Sequence, residues 1–348
     1  MILQVTDSGL YCPAGGFYVD PWRPVDRAVI THAHADHACS GSRAYLTSRP
    51  GEAILRSRLA EADAGGATGE PAIQALDYGQ TIGLSGVRLS LHPAGHILGS
   101  AQVRIESGGA VWVVSGDYKL EPDPTCAPFE PVACHTFLTE STFGLPIFRW
   151  PPEAEVFAGI EAWWAANRQS GKASLLFAYS LGKAQRVLAG INPAAGPIYT
   201  HGAVENFCRL YRQAGIPLAP TTHAAAAPAG TDWRDALVLA PPSANGTPWM
   251  RRFGPLSAGF VSGWMRIRGA RRRRSLDRGF VLSDHADWPG LLSAVRASRA
   301  SRVWVTHGYR APMVEWLKQQ GLDAQAVETR YEGEQDETGA DPTPGAEP

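Results

Sequence analysis

In the first half of the chain, apolar residues come in short runs that stop at a Gly, Asp or His. Ala28–Thr31, Val87–Leu91, Val111–Ser115 and Thr136–Thr139 each predict a buried strand, since such runs bounded by turn formers are too short for helices. Helical spacing predicts helices over Gly51–Ala62 and Ala154–Arg168, and the Ala/Gly-rich Ala62–Gly69 predicts a surface loop. After the Pro-rich Gly144–Pro152 the rhythm changes and strand alternates with helix. Ser174–Tyr179 precedes Lys183–Gly190, Pro197–Tyr199 precedes Val204–Ala214, and Ala236–Ala240 runs into a Pro/Gly loop. That alternation is the βαβ pattern of a parallel sheet. From Gly279 the first rhythm returns, with a strand at Phe280–Ser283, a helix over Pro289–Ala300, a strand at Val303–Thr306 and a helix over Ala311–Gln320. The chain therefore reads as one domain, 1–144 and 271–330, interrupted by a second at 145–270 and followed by a tail, 331–348.

Composition adds modest constraints. With 348 residues, 44% hydrophobic and 19% charged, the chain has material for a proper core and the balance of an ordinary water-soluble protein. A net charge of −1 leaves an acidic partner open, but the charges are unevenly spread. Residues 266–278 (RIRGARRRRSLDR) are dense in arginine, whereas the final YEGEQDETGADPTPGAEP is acidic, lacks apolar content and predicts a disordered tail. The five cysteines show no CxxC spacing, which fits a reducing compartment and thiols packed as small core residues. Neither a signal-peptide pattern nor a long uninterrupted apolar stretch is visible, so the expectation is a cytoplasmic protein with no membrane partner.

The chemistry concentrates in Thr31-His-Ala-His-Ala-Asp-His37, directly after a predicted strand. Side chains two apart on an extended segment point the same way, so His32 and His34 can grip one metal together. Asp36 and His37, one register on, are placed to serve a neighbouring metal. Imidazole and carboxylate suit zinc, and equally manganese or iron. Most lone histidines are merely solvated, but here further donors recur at strand ends: His96 in Pro93–Ser100, Asp117 in Val113–Tyr118 and His307 in Val303–Gly308. Each is flanked by Gly, which permits close backbone approach to a ligand. A carboxylate such as Asp117 can bridge two metals about 3.5–4 Å apart, the spacing that clamps a phosphoryl group and lowers the pKa of a bound water. Taken singly each is weak evidence, an Asp after a strand being more often a turn former.

The order Asp20, His32-x-His34-x-Asp36-His37, His96, Asp117 resembles the metallo-β-lactamase fold, a four-layer αβ/βα sandwich. Leu138-Thr-Glu-Ser-Thr142, Ser283-Asp-His-Ala-Asp287 and Thr306-His-Gly308 resemble motifs A, B and C of its β-CASP nuclease branch, and the interrupting segment resembles that branch's inserted α/β domain. Gly116–Cys126, Tyr179–Gln185 and Phe280–Trp288 further resemble bacterial DNA exonucleases encoded beside an ATP-dependent DNA ligase. The resemblance implies that His32, His34, His96 and Asp117 hold one divalent cation, and Asp36, His37, Asp117 and His307 a second, zinc or manganese. It implies catalytic roles for Asp36, for His285 as donor to the leaving oxygen and for Glu140 as support for that imidazole. Asp20 would orient a ligand histidine, unless it is a turn residue before Pro21. The implied activity is hydrolysis of DNA, single-stranded or at ends and from the 5′ side, in DNA repair with a ligase as functional neighbour. An RNA-processing β-CASP ribonuclease is the alternative.

Further residues bear on the substrate. Tyr179-Ser-Leu-Gly-Lys-Ala-Gln185 leads from a strand into a helix, where backbone N–H groups with Ser180 and Lys183 can bind a phosphate, or can simply cap the helix. Arg271, Arg272, Arg273 and Arg274 fall where the insert rejoins the first domain, beside a path a nucleic acid strand would take, though an arginine run is also an ordinary solvated face. No stacking platform can be identified: Trp249, Trp264 and Trp288 are candidates for stacking bases, but core packing is the better explanation of each. A small-ester hydrolase on the same fold would need neither the insert nor the arginine run.

Overall fold

The computed structural model describes residues 1–62, 71–267 and 276–331. Its first sheet is built from six strands in chain order: β1 (Gln4–Thr6), β2 (Gly9–Cys12), β3 (Phe17–Val19), β4 (Arg27–Val29), β5 (Ala44–Ser48) and β6 (Ala72–Leu76). Helix α1 (Glu52–Ala62) lies on its outer face through Ile54, Leu55 and Leu59, which pack against Ala28, Ile30 and Tyr45. The second sheet begins as an antiparallel meander of β7 (Thr81–Leu84), β8 (Val87–Pro93), β9 (Ala101–Ser107) and β10 (Ala110–Val114) and continues into β11 (Thr136–Ser141), parallel to β10.

Beyond β11 the chain leaves this sheet. Helix α2 (Glu153–Gln169) leads to β12 (Ala173–Phe177), then α3 (Lys183–Gly190), β13 (Ile198–Thr200), α4 (Gly202–Gln213), β14 (Thr222–His223), β15 (Leu237–Ala240), β16 (Leu256–Val261) and β17 (Arg278–Phe280). These strands make a third sheet, order β14-β13-β15-β12-β16-β17, in which every pairing is parallel. Its near-continuous burial at β12 and β15 is what a sheet covered on both faces requires. β17 extends this sheet past residue 270, and Val281–Ser283, expected as strand, instead turn away to carry His285 toward the first two sheets.

The chain then returns. Helix α5 (Trp288–Ser298), capped by the Asp287 carboxylate on the Gly290 amide, precedes β18 (Arg302–Gly308), which inserts beside β11 in parallel register, Thr136 opposite Arg302. Helix α6 (Arg310–Gln319) and β19 (Asp323–Ala326) complete the second sheet. The first two sheets face each other across Leu10, Phe17, Val29 and Leu46 on one side and Leu91, Val103, Trp112 and Trp304 on the other. With α1 outside one sheet and α5 and α6 outside the other, this is the expected four-layer sandwich with an inserted α/β unit. Residues 63–70, which take in most of the expected loop, the arginines 271–274 and residues 332–348 lie outside the described residues.

Candidate metal centre

The donors gather where strands of both sheets end on one side of the sandwich. β4 delivers His32, His34, Asp36 and His37, the β8–β9 connection His96, the residues after β10 Asp117, and β18 His307. Glycine is required at two of these ends. Gly116 has φ +58°, and a Cβ there would stand 2.7 Å from Thr31 Oγ1; Gly308 has φ +83°, and its Cβ would stand 2.2 Å from the Ser141 carbonyl oxygen. The first lets the backbone close on the Thr31 side chain and the second lets two backbones meet, where any side chain would hold them apart.

The imidazoles are oriented from behind. Asp20, buried and held at φ +42°, accepts from the Thr31 amide (2.7 Å) and hydroxyl (2.6 Å) and from His37 Nδ1 (2.8 Å). The Thr31 hydroxyl, having donated to Asp20, accepts from His32 Nδ1 at 3.0 Å. His96 Nδ1 donates to the Asp284 carbonyl (2.8 Å) and His34 Nε2 to the Leu181 carbonyl (3.2 Å). The Thr306 hydroxyl donates to the Thr139 carbonyl and accepts from His307 Nδ1 at 3.1 Å. These bonds assign each tautomer.

The consequence is electrostatic. With one ring nitrogen used as donor, the other presents a lone pair, and all five lone pairs point inward. His34 Nδ1 faces His96 Nε2 at 3.1 Å, while His32, His37 and His307 turn Nε2 toward the Asp117 carboxylate at 3.4, 3.6 and 3.1 Å. His32 Nε2 and His37 Nε2 are buried and have no hydrogen-bond partner. Lone pairs facing lone pairs repel unless a cation or a proton lies between them. The two ends of the cluster differ. Burial works to lower the His37 pKa, but Asp36 and Asp117 outweigh it and push it up to about 10, so a proton stands in for a cation at its Nε2. Burial and the neighbouring His32 drive His34 down to about 3 and leave its lone pair bare. The donor sets His32/His34/His96/Asp117 and His37/Asp117/His307 each bring their atoms within 4.8 Å of one another, so the residues present fit divalent cations, with Asp117 common to both sets. Asp36 adds an oxygen 3.6 Å from His37 Nε2.

Beside the cluster, His285 Nδ1 lies 2.9 and 3.1 Å from the two Glu140 oxygens, and Glu140 Oε1 also accepts from the Tyr118 amide at 2.8 Å. Burial opposes the imidazolium, but Glu140 and Asp117 prevail and raise the His285 pKa to about 10. The loop carrying His285 is held by the inserted unit. Arg186 on α3 donates to the Ser283 carbonyl (2.7 Å) and pairs with Asp123, and Trp150 Nε1 donates to the His285 carbonyl at 2.9 Å.

Two sequence expectations change. Lys183, expected at a phosphate, is buried and its ammonium lies 3.1 Å from Asp284, because α3 points its first turn into the protein rather than toward solvent. Ser180 is half-buried, and its carbonyl accepts from Gln185 Nε2 inside the turn. The tail expectation fails at its first residue. Tyr331 is buried against His37, a contact that only its aromatic ring could have signalled among acidic neighbours. Trp288 packs on Trp316, Trp264 on Phe143 and Phe148, and Trp249 on Phe253, so each belongs to an aromatic cluster.

A double sandwich whose strand ends converge five imidazoles on one carboxylate is the architecture of a metallo-β-lactamase domain. The metallo-β-lactamase superfamily matches residues 5–145. A probable DNA ligase of Opitutus terrae is 33% identical over 322 residues, covering 92% of this chain and 30% of that protein. Endoribonuclease YSH1 of Gibberella zeae is 28% identical over 229 residues, covering 54% of this chain and 27% of that protein, and that of Saccharomyces cerevisiae is 27% identical over 198 residues, covering 47% and 25%. The chain thus spans less than a third of the length of each of these relatives. A solved structure of a protein of unknown function from Enterococcus faecalis superposes with a TM-score of 0.59 at 12% identity, covering 88% of this chain and 80% of that one, and so shares the fold. The chain belongs to the metallo-β-lactamase superfamily, in its β-CASP nuclease branch.

Proposed function

We propose that this chain is a two-metal phosphodiesterase that removes nucleotides from single-stranded DNA or DNA ends, working from the 5′ side in DNA repair in the cytoplasm. The observation that carries the reading is the convergence of five imidazole lone pairs on Asp117 with the His285–Glu140 pair alongside. Zinc or manganese held by His32, His34, His96 and Asp117, and by Asp36, His37, Asp117 and His307, would supply charge neutralisation at the phosphoryl group and a lowered water pKa. Asp20 and the two threonines fix the ligand tautomers. His285 donates from Nε2 to the departing oxygen as the P–O bond breaks, and Glu140 holds Nδ1–H and balances the charge on the ring. The arginines at 271–274 belong to the proposed path of the strand. A DNA substrate and a ligase as functional neighbour are favoured by the relative named as a DNA ligase, which matches nearly the whole chain. The second reading, RNA processing, rests on the relatives named as endoribonucleases. Among the described residues no helix is long and apolar enough to cross a membrane.

The test is digestion of end-labelled single-stranded DNA and matched RNA by wild type, His37→Ala and His285→Ala, with zinc or manganese restored after chelation. Loss of the 5′ label from DNA, abolished in both variants, is expected. Cleavage of RNA alone would move the assignment to RNA processing, and cleavage of neither would defeat both readings.

A further inference from the structure

After β19 the chain does not leave the sandwich. The Val327 amide donates to the Val305 carbonyl (2.8 Å), Arg310 Nη1 to the Val327 carbonyl (3.1 Å) and the Thr329 hydroxyl to the Thr306 carbonyl (3.4 Å), so the segment runs beside the end of β18 that bears His307. It ends, within the described residues, on Tyr331. That ring stacks on the His37 imidazole at 4.5 Å with 14° between the planes, meets His307 edge-on at 5.8 Å and is backed by Trp22. Its hydroxyl donates to the backbone carbonyl of Asp20 at 3.0 Å, and the side chain is buried.

We infer that Tyr331 is a positioning residue for the metal centre: it fixes the His37 ring in its liganding orientation and walls off the cation position made by His37, Asp117 and His307. The inference rests on the two-cation reading above. Asp20 holds His37 only through Nδ1, in the plane of the imidazole, and a ring held at one atom can still tilt about that bond. A second ring stacked on its face removes the tilt. The Tyr331 hydroxyl also holds the backbone of Asp20, the residue whose carboxylate grips His37, at a positive φ that an Asp does not adopt freely. One side chain therefore braces the ligand directly and braces its orienting partner. The apolar ring also occupies space beside His37 and His307 that water would otherwise fill, which strengthens cation–ligand attraction there.

The experiment is uptake of zinc alone by metal-stripped protein, read as stoichiometry and as competition with a chelator, for wild type, Tyr331→Ala and Tyr331→Phe. Outer partners of metal ligands typically change affinity about 10- to 100-fold when removed. Tyr331→Ala is expected to weaken one of two cation positions by that factor and leave the other unchanged. Tyr331→Phe, which keeps the stacked ring and loses the hydroxyl, is expected to recover most of the loss. A role confined to packing would lower thermal stability in Tyr331→Ala without altering uptake, and unchanged uptake overturns the inference. If Tyr331→Ala does not fold, Tyr331→Leu, which keeps apolar bulk without a stacking face, takes its place with the same expectation. Wild type that takes up fewer than two cations would instead defeat the two-cation reading, and this inference with it.

Discussion

Glu140 sits in the buried strand β11 and divides its carboxylate between the His285 Nδ1–H and the Tyr118 amide. Replacing it by Gln keeps an oxygen for both donors and removes the negative charge that stabilises an imidazolium. Turnover of Glu140→Gln is expected to fall by roughly 10²-fold, the low end of what general acid–base catalysis supplies, with metal content unchanged. Single-turnover cleavage together with metal analysis would check this; unchanged turnover would show that His285 needs no counter-charge. At this scale much of the site is legible in the sequence. His32, His34, Asp36 and His37 stand out because alternation at a strand end dictates which side chains point together. What cannot be read is whatever depends on a backbone atom far along the chain: His96 owes its tautomer to the Asp284 carbonyl, 188 residues away in sequence. Tyr331 stays hidden for another reason, since a single aromatic residue does not alter the acidic composition around it.

Helix α3 is the element through which the inserted unit grips the site. Its Arg186 is buried with Asp123 from the segment after β10, reaches Glu153 at the start of α2 and donates to the Ser283 carbonyl two residues before His285. Asp123 is itself buried, so Arg186→Met would leave that carboxylate without its partner. Breaking a buried pair from one side costs about 3–5 kcal/mol. Thermal unfolding should show a Tm lower by several degrees, and a variant as stable as wild type would mean that the pair contributes little. Periodicity predicts α1, α2 and α4 to within a residue or two because each buries one stripe, whereas α3, whose first six residues are all buried, is found from its place in the strand–helix alternation. It misses the narrow strands β1 to β3, which are three or four residues long and gain stability only from their neighbours. The Arg186–Asp123 pair escapes it as well, since ordinary charge patterning places both residues on a surface.

Across the whole molecule, two sheets from one interrupted domain meet at a cluster of mutually repelling lone pairs. Cations that bind only the folded chain add stability by mass action, about 2.7 kcal/mol for each site at a concentration 100 times its Kd. Stripping the protein with a chelator is therefore expected to lower Tm, and restoring zinc to raise it in a concentration-dependent way. A Tm indifferent to both would mean that the cluster is not a metal site. The interruption itself is legible, because the βαβ rhythm begins at a Pro-rich boundary and later stops. Where the third sheet ends is not, since β17 has only three residues and takes its identity from pairing with β16.

The placement of β18 has a consequence for how the protein is made. Ser141 and His307 lie 166 residues apart in sequence, yet the Ser141 hydroxyl donates to the His307 carbonyl at 2.6 Å, and their strands are neighbours. At a synthesis rate of about 5–20 residues per second, the first donors leave the ribosome well before the last one exists. The inserted unit must be translated before β18 can add to the sheet edge that β11 leaves open. Until β18 is made His307 is missing from the donors around Asp117, so the complete cluster cannot exist before the whole inserted unit has been synthesised.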